Sequence, residues 1–257
     1  MPLIESQAMN FRYPSARRSG AEWTIEDIDV SIEGRSSVGI VGESGSGKST
    51  LVRVLCGLLH HQSGRVTFDG RDVADWLRTK PKELRRRNQI VFQSPRRSLD
   101  PRMTIGRSLK EPMLAIERRT PSSDELVTWL EQVGLTSDVL RRFPHQLSGG
   151  QLQRVSIARA LSVGPDVLYA DEPTSALDVS VRAQVLNLLM DIRTELGLTL
   201  VMVSHDLAVI SRMCEHVVVM KDGRIVESGP MADVLSAPAT AYTAALVGAA
   251  RSVSLRT

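Results

Sequence analysis

Cysteine is scarce. The 257 residues hold two, Cys56 and Cys214, far apart and each in apolar surroundings. A disulfide framework is excluded, and with no CxxC or Cys/His spacing there is no zinc or iron–sulfur pattern either. Two buried, reduced thiols are expected. Long apolar runs are also missing: no stretch approaches about 18 uninterrupted apolar residues, so no membrane-spanning helix is expected. The first residues lack a basic-then-apolar leader pattern, and no internal repeat is visible. Net charge is only +3, from 32 basic and 29 acidic residues, which makes no case for nucleic acid. What remains is an ordinary globular mixture, 42% apolar and 24% charged, with enough chain for one large α/β domain or two small ones. A cytosolic protein is expected, with any membrane role exercised through a partner. The basic residues are uneven. Arg85-Arg86-Arg87, Arg96-Arg97, Arg118-Arg119 and Arg141-Arg142 all fall between residues 85 and 142. A solvated face is the default reading, and a docking surface for an acidic partner or lipid headgroups is the alternative.

The strongest signal is Gly42-Glu43-Ser44-Gly45-Ser46-Gly47-Lys48-Ser49. An apolar run, Ser37 to Val41, leads in, and an apolar-periodic stretch, Leu51 to Leu59, leads out. That order is strand, glycine-rich turn, helix. Glycines let a loop wrap an anion and turn backbone N–H groups inward, and the following helix adds the positive end of its dipole. Lys48 supplies a cation for β- and γ-phosphates, and the Ser49 hydroxyl suits Mg²⁺. A glycine-rich turn with a stray Lys-Ser is the bland reading. It does not explain why all four fixed positions of GxxxxGK[ST] are met in the right context. The motif indicates a nucleoside triphosphate and Mg²⁺, without saying what the energy drives.

Elsewhere strand and helix patterns alternate. Short alternating runs, Leu3-Ile4 and Trp23 to Ile32, flank a polar loop from Tyr13 to Gly20. Ser63-Gly64 reads as a turn, Arg65 to Phe68 as a strand and Asp69-Gly70 as a hairpin-type turn. Gln89 to Phe92 is a short strand ending on Gln93. Glu125, Leu126, Trp129, Leu130 and Val133 give an amphipathic helical face, stopped at Gly134. A helix is expected from Gly149 through Leu161, a buried strand from Val167 to Ala170, a helix through Val181 to Leu196, and a strand from Leu198 to Val203. Val217 to Met220 and Ile225 to Val226 flank Asp222-Gly223 as a hairpin. From Met231 onward a helix and a loose tail are expected. The fold class is therefore α/β: a P-loop core with a mostly parallel sheet, an antiparallel β part and an inserted helical part.

Two further stretches carry chemistry. Asp171-Glu172 follows four apolar residues, so one carboxylate at a strand tip can hold Mg²⁺ and the next can polarise water; acidic residues end many strands, and the pair gains weight from the phosphate cradle. Leu147-Ser148-Gly149-Gly150-Gln151 precedes a helix. An N-capping serine explains Ser148, but not the paired glycines with Gln151. Two glycines at a helix start expose N–H groups and make a second anion site, which a dimer could bring to the other chain's cradle.

With these residues in view, the chain resembles the ATP-binding subunits of ABC transporters, over essentially residues 1 to 240. Gly42 to Ser49 looks like Walker A, Leu147 to Gln151 like the LSGGQ signature, and Val167 to Glu172 like Walker B with its following glutamate. Ser175-Ala176-Leu177-Asp178 is similar to the D-loop, Gln93 to the Q-loop glutamine and His205 to the switch histidine. The resemblance implies one ABC ATPase domain over 1–230, with core and antiparallel β part at 1–93 and 161–230, a helical subdomain at 94–160, and a C-terminal helix and tail at 231–257. It implies ATP and Mg²⁺ as ligands. The nucleotide would contact Tyr13, Gly42, Glu43, Ser44, Gly45, Ser46, Gly47, Lys48, Ser49 and Thr50. Mg²⁺ would be held by Ser49, Gln93 and Asp171. Glu172 would be the general base, with His205, Lys48 and Gln93 completing the catalytic set. Ser148, Gly150 and Gln151 would face the opposing ATP in a head-to-tail dimer, and Asp178 would work across it. Tyr13 fits the aromatic that stacks on adenine; Trp23, nearer the cradle, is the alternative.

A narrower resemblance, to peptide and nickel importer ATPases, lies in Gln93 to Thr104, in Asp171 to Val181, and in the tail Ala237-Pro238-Ala239-Thr240-Ala241-Tyr242. Ser94 and Ala237-Pro238 depart from that pattern, at positions where aspartate and His-Pro are usual. This resemblance implies two membrane permease subunits as partners, together with a second ATPase subunit, a copy or a relative. It also implies an extracytoplasmic substrate-binding protein acting through the permeases, no nucleic acid, and a place at the cytoplasmic face of the membrane. The alternative is a soluble ABC-type adaptor of a non-transport complex such as phosphonate degradation. Chromosome-maintenance relatives need a long coiled coil between Lys48 and Ser148, for which there is no room. His60-His61 is read as a solvated helix-end pair, not a nickel site.

Overall fold

The computed structural model describes residues 1–14 and 23–254. Residues 15–22, which include most of the expected polar loop from Tyr13 to Gly20, lie outside them. In chain order the elements are β1 (Ile4–Phe11), β2 (Ile25–Ile32), β3 (Ser37–Val41), α1 (Lys48–Leu55), β4 (Ser63–Phe68), β5 (Arg71–Asp72), α2 (Val73–Thr79), α3 (Pro81–Arg87), β6 (Asn88–Val91), α4 (Pro95–Ser98), α5 (Ile105–Ile116), α6 (Ser123–Gln132), α7 (Gly149–Leu161), β7 (Val167–Asp171), α8 (Val179–Leu196), β8 (Thr199–Ser204), α9 (Leu207–Met213), β9 (His216–Lys221), β10 (Arg224–Pro230), α10 (Met231–Ser236) and α11 (Ala241–Ser254). They form two compact units, Met1–Pro81 with Thr199–Thr257, and Lys82–Leu198.

In the first unit, β2-β1-β4-β5 make an antiparallel sheet. A second layer places β3 between β8 and β9, parallel to both, with β10 antiparallel outside β9. All five residues of β3 are buried, as expected of a strand covered on both faces, which reads as an unbroken apolar run. β1 is longer than its Leu3-Ile4 signal. Its alternation is broken by register shifts against β2 and β4. Ala8 sits there at φ +44, its N–H donated to the Asp29 carboxylate at 2.7 Å. A bulge of this kind destroys the period-2 pattern that betrays a strand. Gly64 faces the bulge: a Cβ there would lie 2.2 Å from the Ala8 carbonyl oxygen. Ser63-Gly64 is thus the start of β4 rather than a turn. Asp69 and Gly70, at φ +53 and +71, do make the expected primed turn.

Two further expectations are corrected. The helix after the glycine-rich loop ends at Leu55, not Leu59, since Gly57 takes φ +77. The residues after Met231 form two helices, α10 and α11, not one helix and a loose tail; Met231, Val234 and Val247 are buried and anchor them.

In the second unit β6 and β7 pair in parallel, with Val91 opposite Ala170, so both strands end side by side. Tyr169, fully buried, donates its hydroxyl to Asn88 Oδ1 at 3.2 Å, and Arg87 meets Asp166 at 2.6 Å. The helices lie in the same unit. α6 begins with a capping box between Ser122 and Glu125, and Gly134 at φ +67 stops it where the sequence says. α7 runs over the expected residues, and its central positions are almost all buried.

Candidate active site

The glycine-rich loop joins β3 to α1 within the first unit. Gly42 takes φ +153, and a Cβ on it would lie 2.1 Å from the Met220 carbonyl oxygen. Gly47 takes φ +98, and its Cβ would lie 2.5 Å from Ile25. The bare backbone is therefore required at both ends of the loop. Gly223 N–H donates to the Ser46 carbonyl at 3.2 Å, and Ser46 N–H to the Glu43 carbonyl at 3.2 Å. Lys48 is 5% exposed, and its Nζ donates to the carbonyls of Gly42 at 2.8 Å and Glu43 at 2.6 Å. The ammonium is thereby fixed at the centre of the turn. Gly47 caps α1 without a side chain, and no acid lies in the first turn. The helix start presents its N–H groups and positive dipole end to an anion. Ser46 Oγ is buried without a hydrogen-bond partner among the described residues. A buried hydroxyl of this kind costs free energy unless a ligand takes it, and a phosphate oxygen fits.

Around the loop, Tyr13 Oη lies 3.5 Å from the hydroxyl of Thr50, on α1. Its ring meets Phe11 edge to face at 4.9 Å. Trp23 instead has the Arg12 guanidinium 5.2 Å from its ring centroid. His205 is exposed just after β8, ahead of Asp206. The Asp206 carboxylate accepts from Ala208 N–H at 2.9 Å and starts α9. One contact had no local signal: Tyr242, from the first turn of α11, accepts the Glu43 N–H at 3.0 Å. Only its place in the family-like tail singled it out.

The second unit brings together the other candidates. Asp171, at the tip of β7, is 3% exposed. Glu172 follows at φ +46, a left-handed conformation unusual for a glutamate. Gln93, just past β6, donates Nε2 to Glu172 Oε2 at 2.9 Å. This meeting follows from the parallel register of the two strands. Ser175 Oγ donates to the Glu172 carbonyl at 3.2 Å, a local tie that favours the sharp turn into residues 175–178. At α7, Ser148 Oγ accepts from Gln151 N–H at 3.2 Å, and Gln151 Oε1 accepts from Ser148 N–H at 3.0 Å. The pair of glycines packs against residues 177 and 181. A Cβ on Gly149 would reach Leu177 at 3.3 Å, and one on Gly150 would reach Val181 at 2.4 Å. Leu147 is buried, Ala176 and Asp178 exposed. Among the described residues, no group of three or more His, Cys, Asp or Glu side chains gathers to hold a metal, and no helix is long and apolar enough to cross a membrane.

The ABC transporter family profile matches residues 25–175. The chain belongs to the ABC transporter family. This ABC ATPase is 42% identical over 250 residues to a putative peptide import ATP-binding protein of Brucella ovis, covering 96% of the chain and 78% of the relative. It is 41% identical over 259 residues to the dipeptide transport ATP-binding protein DppF of Haemophilus influenzae, again covering 96% and 78%. Among solved structures it is similar to the ATP-binding cassette MJ0796, a dimer in a post-hydrolysis state bound to ADP and Pi. The TM-score is 0.77 and the identity 29%, over 89% of this chain and 98% of that one. The α/β P-loop fold and the ATPase activity expected from the motifs follow from membership.

Proposed function

We propose that this ABC ATPase powers the import of peptides through partner permeases, with Glu172 as the general base of ATP hydrolysis. The observation that carries the catalytic part is the Gln93–Glu172 hydrogen bond of 2.9 Å. It holds the carboxylate in one orientation beside the strand tip, and a base must be positioned before its basicity matters. Peptides are preferred to nickel chelates because the relatives above are named for peptide and dipeptide import. Nothing in the chain favours the non-transport adaptor.

In this reading the loop Gly42–Ser49 and Thr50 bind the triphosphate, Lys48 sits against the β- and γ-phosphates, and Tyr13 stacks on adenine. Tyr13 is favoured over Trp23 because its hydroxyl reaches Thr50, next to Ser49. Ser49, Gln93 and Asp171 would hold Mg²⁺. Their hydroxyl, amide and carboxylate oxygens suit a hard cation that takes few protein ligands and keeps phosphate and water oxygens as the rest. When bound, the ion neutralises phosphate charge. Glu172 accepts a proton from water, and His205 contacts the γ-phosphate. In a pair of ATPase subunits, identical or related, Leu147 to Gln151 faces the other subunit's nucleotide, and Ser175 to Asp178 lies across the same interface. Residues 1–230 act as a single ABC domain. The insertion around residues 94–142, with its arginine pairs, docks on the permeases at the cytoplasmic face of the membrane. A substrate-binding protein outside delivers the peptide.

The test is Glu172→Gln, assayed for phosphate release and MgATP binding together. An amide cannot accept the proton, so turnover should fall by about 10²–10⁴-fold while binding persists. Turnover within a few-fold of the parent would remove Glu172 from this role. Reconstitution with partner permeases, and peptide uptake measured with and without ATP, tests the cargo.

A further inference from the structure

The end of the chain returns to the phosphate loop, and its return is fastened at several points. On β10, the Glu227 carboxylate accepts the backbone N–H of Ala239 at 2.8 Å and of Thr240 at 3.3 Å. Burial pushes the Glu227 carboxyl up, but hydrogen bonds from Thr243 and from those two N–H groups outweigh it and leave it below the usual carboxylate range. Thr240 then starts α11: its Oγ1 accepts from Thr243 N–H at 3.0 Å, and its carbonyl from Ala244 N–H at 2.9 Å. The Thr243 side chain is completely buried and Val247 nearly so. Near the far end, Arg251 donates to the Leu235 carbonyl at 2.7 Å. The first turn of α11 thus has one placement, and Tyr242 lies on it.

Tyr242 Oη accepts the Glu43 N–H at 3.0 Å. The Lys221 ammonium sits 5.0 Å from the centroid of the same ring, a cation–π distance that steadies the ring from the end of β9. Glu43 is the first variable residue of the phosphate loop. Its carbonyl accepts from Lys48 Nζ at 2.6 Å and from Ser46 N–H at 3.2 Å. One residue therefore joins Tyr242 on its N–H side to the catalytic lysine on its C=O side. The Glu43 N–H is committed outward, to the tail, so that its carbonyl orientation is set from outside the loop.

We propose that Tyr242 is a positioning residue for nucleotide binding: by taking the Glu43 N–H it fixes the first bend of the phosphate loop, and with it the placement of Lys48. The C-terminal helix is in this sense part of the nucleotide site. The inference rests on the reading of residues 42–49 as the triphosphate cradle. Its physical basis is that donors and cations aimed at a developing or resident charge work best when they need no rearrangement on binding.

The test uses the full chain. Tyr242→Phe removes one hydrogen-bond acceptor and keeps the ring over Lys221. MgATP and MgADP are titrated calorimetrically into the parent, Tyr242→Phe and Lys48→Ala, with thermal melting recorded without nucleotide. Amide hydrogen exchange is followed on the peptide containing Glu43. One net hydrogen bond corresponds to about 2–10-fold in affinity. Tyr242→Phe should therefore weaken both nucleotides by about that factor and speed exchange at Glu43. Melting should fall by no more than about 4 °C. KM for ATP should rise by the same factor with kcat within about twofold, because the lost contact serves binding. Unchanged affinity and unchanged Glu43 exchange would overturn the proposal, and so would a drop in melting temperature without a change in affinity. If Lys48→Ala also binds nucleotide like the parent, it is the cradle reading that fails.

Discussion

Residues 42–49 of the first unit are braced at both ends, whereas residues 172–179 of the second end in open side chains. The phosphate loop has the Met220 carbonyl against Gly42, Ile25 against Gly47, Gly223 bonded to Ser46 and Tyr242 bonded to Glu43. Its lysine is buried and already committed to two carbonyls. Past β7 the picture changes. Glu172 is held by Gln93 and by its own backbone turn, but Ala176 and Asp178 are exposed and Val179 is 82% exposed. A cradle for a highly charged anion must have its N–H groups in place beforehand, since reorganising them would subtract from binding. A segment proposed to meet a second subunit keeps its side chains outward, and its contacts are completed only on assembly.

The sharpest way to break this contrast is Gly42→Ala. The added carbon has nowhere to go except into the Met220 carbonyl, so the loop must move with β9. Displacements of about 1 Å at such sites cost on the order of 10²-fold in rate, so ATP turnover should fall by about that factor, and MgATP titration should show weakened binding. Gly45→Ala is the internal control. It meets nothing within 4 Å and carries only the left-handed backbone cost, about 1–2 kcal/mol, so its affinity should lie well above that of Gly42→Ala. Equal losses would mean that the bracing at Gly42 does not matter.

On the other side of the comparison, Gly150→Ala presses on Val181, a side chain that can shift, so the expected penalty is about 1–3 kcal/mol. It should appear as a lowered melting temperature and leave nucleotide binding by the single chain intact. A loss of binding without a loss of stability would show that α7 and the D-loop side are coupled to the cradle within one chain.

The smallest effect belongs to a remote cap. Hydrogen bonds from Arg119 first, and then from the Ser122 backbone, hold the Glu125 carboxyl down at about 2. A depressed carboxylate stabilises the fold fully above its ordinary value near 4.5 and loses that contribution as pH falls toward 2. In urea titrations the parent should exceed Glu125→Gln at pH 6, and the gap should close as pH is lowered through that window. A constant gap would place the effect in packing rather than in charge.

Much of the architecture was legible because it is written locally. The glycine spacing of residues 42–49, the serine ahead of α7, the Asp-Gly pairs at 69–70 and 222–223 and the apolar run of β3 each impose their conformation through neighbours in sequence, by sterics, capping and burial. β1 was not legible: its bulge at Ala8 is stabilised by Asp29 on another strand, and the bulge removes the alternation that would reveal it. The tail was misread for a similar reason, since α11 is anchored by Glu227 on β10, and nothing in its own sequence announces that carboxylate.

By itself, then, the sequence determined the family, the phosphate loop and the identity of most candidate residues, because motif spacing encodes local backbone geometry directly. Only the tertiary structure decided that Gln93 holds Glu172, across a separation of 79 residues, and that Tyr242 holds Glu43, across 199. Such pairings depend on strand register and on where a distant helix is pinned. Both are settled by the packing of the whole unit, and neither leaves a periodic trace in the residues that meet.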